Sequence, residues 1–169
     1  MRLMSRAALA LAATLLAPAA LHAQTSLIVA AGAGVPIGTT ADAVKMGYNA
    51  TLGIGIKPPL APIGLRIDGM FNSFEYDAID ASLRLLAGTA NVTLSSPALP
   101  IGYLIGGLGM YNASTSGTSG SETDFGFNVG AGLNFPLTGF STFLEARLHV
   151  VNSEGESVKF IPITFGLRF

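Results

Sequence analysis

The stretch DFGFNVGAGLNF, residues 124–135, alternates without a slip. Phe125, Phe127, Val129, Ala131, Leu133 and Phe135 fall on one face, and Gly126, Asn128, Gly130, Gly132 and Asn134 on the other. Successive side chains of a β-strand point to opposite sides, so this reads as a strand with one bulky apolar face and one small or polar face.

The same pattern recurs on both sides of it. MGYNATLGIGIK (46–57) sets Met46, Tyr48, Ala50, Leu52, Ile54 and Ile56 against Gly, Asn, Thr and Lys57. IGLRIDGMFN (63–72) sets Ile63, Leu65, Ile67 and Phe71 against Gly64, Arg66, Asp68 and Asn72. LLAGTANVTLS (85–95) sets Leu86, Ala90, Val92 and Leu94 against Ala87, Thr89, Asn91 and Thr93. TFLEARLHV (142–150) sets Leu144, Ala146, Leu148 and Val150 against Phe143, Glu145, Arg147 and His149. KFIPITFGLRF (159–169) ends on an apolar ladder of Ile161, Ile163, Phe165, Leu167 and Phe169. SLIVAAGAG (26–34) is small and apolar on both faces. IGYLIGGLGMYN (101–112) reads equally well with Tyr103, Ile105 and Tyr111 outward or with Leu104, Leu108 and Met110 outward. That makes eight strands.

Composition narrows what such strands can build. Mean hydropathy is +0.54 and 11% of residues are charged, yet no apolar run after residue 23 reaches the roughly 20 residues of a spanning helix. There is no cysteine, hence no disulfide framework. No basic cluster is present, so nucleic acid is not an expected partner. No metal-ligand set and no cofactor motif stands out, and none is expected. The start, MRLMSRAALALAATLLAPAALHAQ, has two arginines, a short Ala/Leu run and small residues near Ala23. This is the layout of an export signal over residues 1–23, leaving residues 24–169 as one barrel domain.

The connections order the strands. KPPLAP (57–62), SPALP (96–100) and PLTGF (136–140) are short and turn-like. VPIGTTADAV (35–44), SFEYDAIDA (73–81), ASTSGTSGSE (113–122) and NSEGES (152–157) are longer and polar. They alternate along the chain, which predicts an all-β, eight-stranded antiparallel up-and-down transmembrane β-barrel with short turns on the periplasmic side. Tyr103, Phe135, Phe140 and Phe169 are expected near one rim, and Tyr48, Phe71, Phe74, Tyr111 and Phe125 near the other, as two aromatic belts. A soluble β-sandwich would bury the same apolar faces but requires no such belts.

YLIGGLGMYN, FGFNVGAGLNF, STFLEARLHV and FIPITFGLRF resemble the outer membrane protein β-barrel family, the small eight-stranded OmpA/OmpX-like barrels. The resemblance implies that the last strand, with Phe165, Leu167 and Phe169, serves as the signal read by the barrel-assembly machinery. Pro162 is expected to mark a bulge in that strand.

Arg66, Asp68, Glu145, Arg147, His149 and Arg168 all have inward parity. An arginine facing mid-membrane lipid costs about 2–4 kcal/mol, so these groups are expected inside, as an ion-pair network that either plugs the lumen or gates it. His149 is expected to pair with Glu145. His149 with Ser153 or Ser157 and Glu154 or Glu156 is the weaker alternative, a lipid-modifying hydrolase. The leading expectation is a non-enzymatic structural, envelope or surface-binding barrel with a filled polar lumen. A narrow pore for small solutes is the runner-up. Expected partners are outer-membrane lipids, lipopolysaccharide and the assembly machinery, with the protein a monomer.

Overall fold

The computed structural model describes residues 24–58, 61–95, 99–117, 120–153 and 157–169. The expected export signal, 1–23, lies outside them. Eight strands form: β1 Gln24–Pro36, β2 Gly47–Lys57, β3 Ile63–Glu75, β4 Ser82–Ser95, β5 Gly102–Thr115, β6 Ser121–Pro136, β7 Ser141–Asn152 and β8 Ser157–Arg168. Each pairs antiparallel with its neighbour in sequence, and β1 pairs with β8 to close the barrel. Closure leaves no strand edge with unsatisfied backbone groups, the condition for strands in lipid. At the seam, Leu27 and Phe169 exchange both backbone hydrogen bonds, at 3.0 and 2.9 Å.

One end of the barrel carries both strand termini and the connections 58–62, 96–101 and 137–140; this is the turn end. The opposite, loop end carries 37–46, 76–81, 116–120 and 153–156. Three of the four polar segments read as long loops are shorter than expected, because the strands run on into them. β3 reaches Glu75, β5 reaches Thr115 and β6 starts at Ser121. Only the first connection stays long, and it holds a five-residue helix that the sequence pattern did not announce, α1 (Thr39–Ala43). Its exit is tied down by an isolated bridge from Val44 to Tyr76 and by a Lys45 N–H bond to the Glu75 carbonyl.

Along β4 and β8 the polarity pattern inverts. On the outside of β4, Leu86, Ala90, Val92 and Leu94 are exposed, but toward the loop end Arg84 takes the outward position. Inside, Thr89 and Asn91 give way to Ala87 and Leu85 at the same level. β8 does the same: Ile161–Phe169 present apolar side chains outward, then Lys159 does, while the inward series passes from Thr164 to Phe160. On these two strands the lower part is apolar outside and polar or small inside, and the loop-end part is the reverse, as in a water-soluble barrel. The stretch Phe125–Phe135 on β6 matches the roughly 9–11 residues a tilted strand needs to cross a bilayer.

Outward aromatics gather at the two ends of that apolar zone. Tyr48 and Phe71 pack with ring centroids 6.1 Å apart at the upper boundary, and Phe140 and Phe169 pack at 6.1 Å at the lower. Phe74, Tyr103 and Tyr111 do not belong to either belt; all three are buried inside. For β5 the open question of register is thereby decided, with Leu104, Leu108 and Met110 outward. Pro162 makes no bulge. Ala146 pairs with Ile163 and His149 with Phe160, so the β7–β8 pairing lapses beside the proline and resumes in the same register.

Candidate functional site

Among the described residues, buried polar side chains gather in the lumen, and they are layered. The middle layer is built by strands on opposite sides of the barrel. Period-two alternation points Arg66 and Asp68 inward from β3 and Glu145 and Arg147 inward from β7. An eight-stranded barrel is just narrow enough for such side chains to meet across the axis. They do: Arg66 donates to Asp68 Oδ1 through Nε (2.7 Å) and to Glu145 Oε2 through Nη1 (2.7 Å). Arg147 Nη1 donates to Asp68 Oδ2 at 3.0 Å, and its Nε lies 3.0 Å from Glu145 Oε1. Each carboxylate thus meets both guanidiniums, and all four side chains are at most 2% exposed.

Neutral donors complete the layer. Tyr103 donates its hydroxyl to Glu145 Oε2 at 2.6 Å, and Asn91 Nδ2 reaches Asp68 Oδ2 at 3.1 Å. Asn128 extends the chain by donating to Asn91 Oδ1 at 2.9 Å. Buried charges are tolerated only when paired and hydrogen-bonded in this way. Of the six groups with inward parity, these four are brought together.

His149 and Arg168 lie elsewhere. His149 does not pair with Glu145. Its Nδ1 lies 2.8 Å from the Tyr111 hydroxyl, and its ring stacks on Phe160 at 5.0 Å. Strand geometry explains this: His149 is four residues above Glu145 on β7, and same-face neighbours rise about 6.6 Å per step of two. From that height upward the lumen gains an apolar cluster of Val44, Met70, Phe74, Leu85, Phe160 and Val151. The expected filled polar lumen is therefore corrected: its loop-end half carries an apolar cluster, capped by Val44 from the segment after α1, beside the buried Asn49–Asn72 hydrogen bond. Arg168, near the turn end, donates Nη1 to Asn134 Oδ1 at 3.3 Å and lies over the rings of Tyr103 and Phe143.

The alternative hydrolase set does not assemble among the described residues. His149 is 0% exposed beneath Phe160, and Glu154 and Glu156 lie outside the described residues. Nor do the described residues bring three metal-ligating side chains together.

Tyr103 and Tyr111 are the lumen residues the sequence pattern left undecided, and a signal for them existed on the neighbouring strand. A Cβ on Gly126 would strike the Tyr111 ring, one on Gly132 the Tyr103 ring, and one on Gly130 the Arg147 side chain. The small inward face of β6 is the space these three large groups occupy.

With eight strands closed in sequence order, an apolar wall outside and an ionic layer inside, the architecture is settled. The chain has the fold of the small outer-membrane barrels. No family model and no curated protein sequence matches it, but solved structures do. Neisserial surface protein A superposes with a TM-score of 0.64 at 16% identity, over 86% of this chain and 97% of that one. The Yersinia pestis attachment invasion locus protein, Ail, gives 0.54 at 17%, over 88% and 99%. The N-terminal β-barrel domain of Pseudomonas aeruginosa OprF gives 0.50 at 19%, over 87% and 99%. At these identities the likeness is one of fold, and the barrel's own residues must supply the rest.

Proposed function

We propose that this chain resides in the outer membrane as a sealed, non-enzymatic barrel whose work is done at its loop end. The observation that carries the reading is the double closure of the lumen. A solute entering from the loop end meets the apolar packing of Phe74, Phe160 and Tyr111, and beneath it the Arg66–Asp68–Glu145–Arg147 layer. Opening either layer would unpair buried charges or expose apolar surface, so the ion network is read as structural and not as a gate.

The loop end suits binding to cationic chemistry. Its segments and the strand ends beside them carry Asp42, Glu75, Asp77, Asp80, Glu122, Asp124, Glu154 and Glu156 against Lys45, Arg84 and Lys159. Ail has been solved with the heparin analogue sucrose octasulfate, a polyanion. The acidic excess here argues for the opposite preference: a basic partner, or lipopolysaccharide phosphates bridged through divalent cations.

Membrane fractionation and planar-bilayer recording test the proposal together. The protein should sediment with outer membranes, migrate faster unheated than heated in electrophoresis, and show no stable conductance. Steady openings from the unmodified protein would overturn the sealed lumen. Mass spectrometry of cellular lipids with and without the protein tests the absence of chemistry; an acyl-chain change lost in His149→Ala would overturn it.

A further inference from the structure

Among the described residues, the turn-end mouth of the lumen holds two cationic side chains and no acidic one. Arg168 and Lys57 both have inward parity on the last residues of β8 and β2. They share a cavity of about 110 Å³ and an adjoining one of about 40 Å³. Ser95, Thr93 and Asn134 line the larger space with them. Lys57 Nζ donates to Ser95 Oγ at 2.8 Å, which leaves two of its three donors over.

Arg168 is positioned without a carboxylate. It lies 5.7 Å from the Tyr103 ring centroid and 5.5 Å from that of Phe143, and its Nε is buried with no hydrogen-bond partner. Glu145, the nearest inward acid along β7, is already engaged by Arg66, Arg147 and Tyr103. The three connections at this end, 58–62, 96–101 and 137–140, contain no Asp or Glu. Phe169 turns outward, and its backbone carbonyl accepts from Leu27.

Two cations lining one small cavity repel each other unless an anion joins them. A guanidinium fork, an ammonium and hydroxyl donors facing one small space form the donor set that matches a phosphate group. We propose that this mouth is a phosphate-binding site, with Arg168 and Lys57 as its charged ligands and Ser95, Thr93 and Asn134 as neutral ones. The phosphate is carried either by a free anion on the periplasmic side or by a phospholipid headgroup reaching over the rim. This site is independent of whatever the loop end binds.

Arginine Nε–H resonances of the isotopically labelled barrel test it. In maltoside micelles, which contain no phosphate, titration with inorganic phosphate should move the Arg168 signal saturably and leave Arg66 and Arg147 still. Lys57→Gln, at an exposed position, should weaken that response about tenfold, as for loss of one charge-assisted hydrogen bond. Arg168→Gln should abolish it at the Asn134 side-chain amide. In phospholipid nanodiscs with no added phosphate, an Arg168 signal already at the bound position identifies the headgroup as the source. A signal at the micelle position that moves only with added phosphate identifies the free anion. No shift in either medium, or a shift matched by equal ionic strength of chloride, overturns the proposal.

Discussion

Phe143 serves two guanidinium groups at once: Arg66 and Arg168 each lie 5.5 Å from its ring centroid. It is fully buried and sits where the ionic layer meets the turn-end mouth. Phe143→Ala removes a core ring and the aromatic face both cations use. A loss of about 3–5 kcal/mol is expected from the lost burial and the cavity it leaves, measured by urea unfolding of the folded barrel in detergent. Phe143→Leu, which fills much of the volume without the ring, should recover part of it.

The ionic layer should behave as one unit. Glu145→Gln leaves Arg66 and Arg147 each short of a charge partner, and about 3–5 kcal/mol of stability should be lost. Removing the partner as well, in Glu145→Gln with Arg66→Gln, should cost less than the sum of the single changes. A double-mutant cycle should give a coupling of about 0.5–3 kcal/mol. Because the four charges are shielded from solvent, the wild-type unfolding midpoint should shift little with salt.

Gly132→Val tests the space-filling role of the β6 glycines. The added branches collide with Tyr103, whose hydroxyl holds Glu145. Destabilisation of about 1–3 kcal/mol is expected for overpacking. Tyr103→Ala in the same chain should relieve it, so the double variant should be more stable than additivity predicts.

The seam gives a test of assembly. Phe169 and Leu27 exchange two backbone hydrogen bonds at the point of closure. Phe169→Pro deletes the donor on one of them and the aromatic at the lower belt. Insertion into the outer membrane should fall sharply while export is unaffected, as read from periplasmic and membrane fractions. Wild-type membrane levels of this variant would refute an assembly role for the residue.

The period-two pattern made six strands legible with correct faces, wherever one face was bulky and the other small, as on β6; β1, small and apolar on both faces, was legible as a strand only. β5 resisted because Tyr103, Leu104, Ile105, Leu108 and Tyr111 put apolar bulk on both faces; only the empty face of its neighbour distinguishes them. The cross-lumen pairing of Arg66 and Asp68 with Glu145 and Arg147 followed from parity and strand order. His149 was misplaced because parity gives direction and not height, and the lumen changes character with height. Phe74 was misread for the same reason: near a strand end, inward aromatics and belt aromatics look alike in sequence. Pro162 keeps register because its missing donor interrupts pairing locally, without inserting a residue.

The inversion of polarity along β4 and β8 gives the barrel a waterline. Below it hydrocarbon wets the outer wall; above it water does, while the inner packing changes to match. Sinking the molecule toward the bilayer would carry Arg84 and Lys159 into hydrocarbon, at up to about 2–4 kcal/mol each by mid-depth. Raising it would strip lipid from Leu86 and Ile161. Draught is thus written into the wall residue by residue, so the loops above ride at a fixed height over the membrane surface whatever their own sequence becomes.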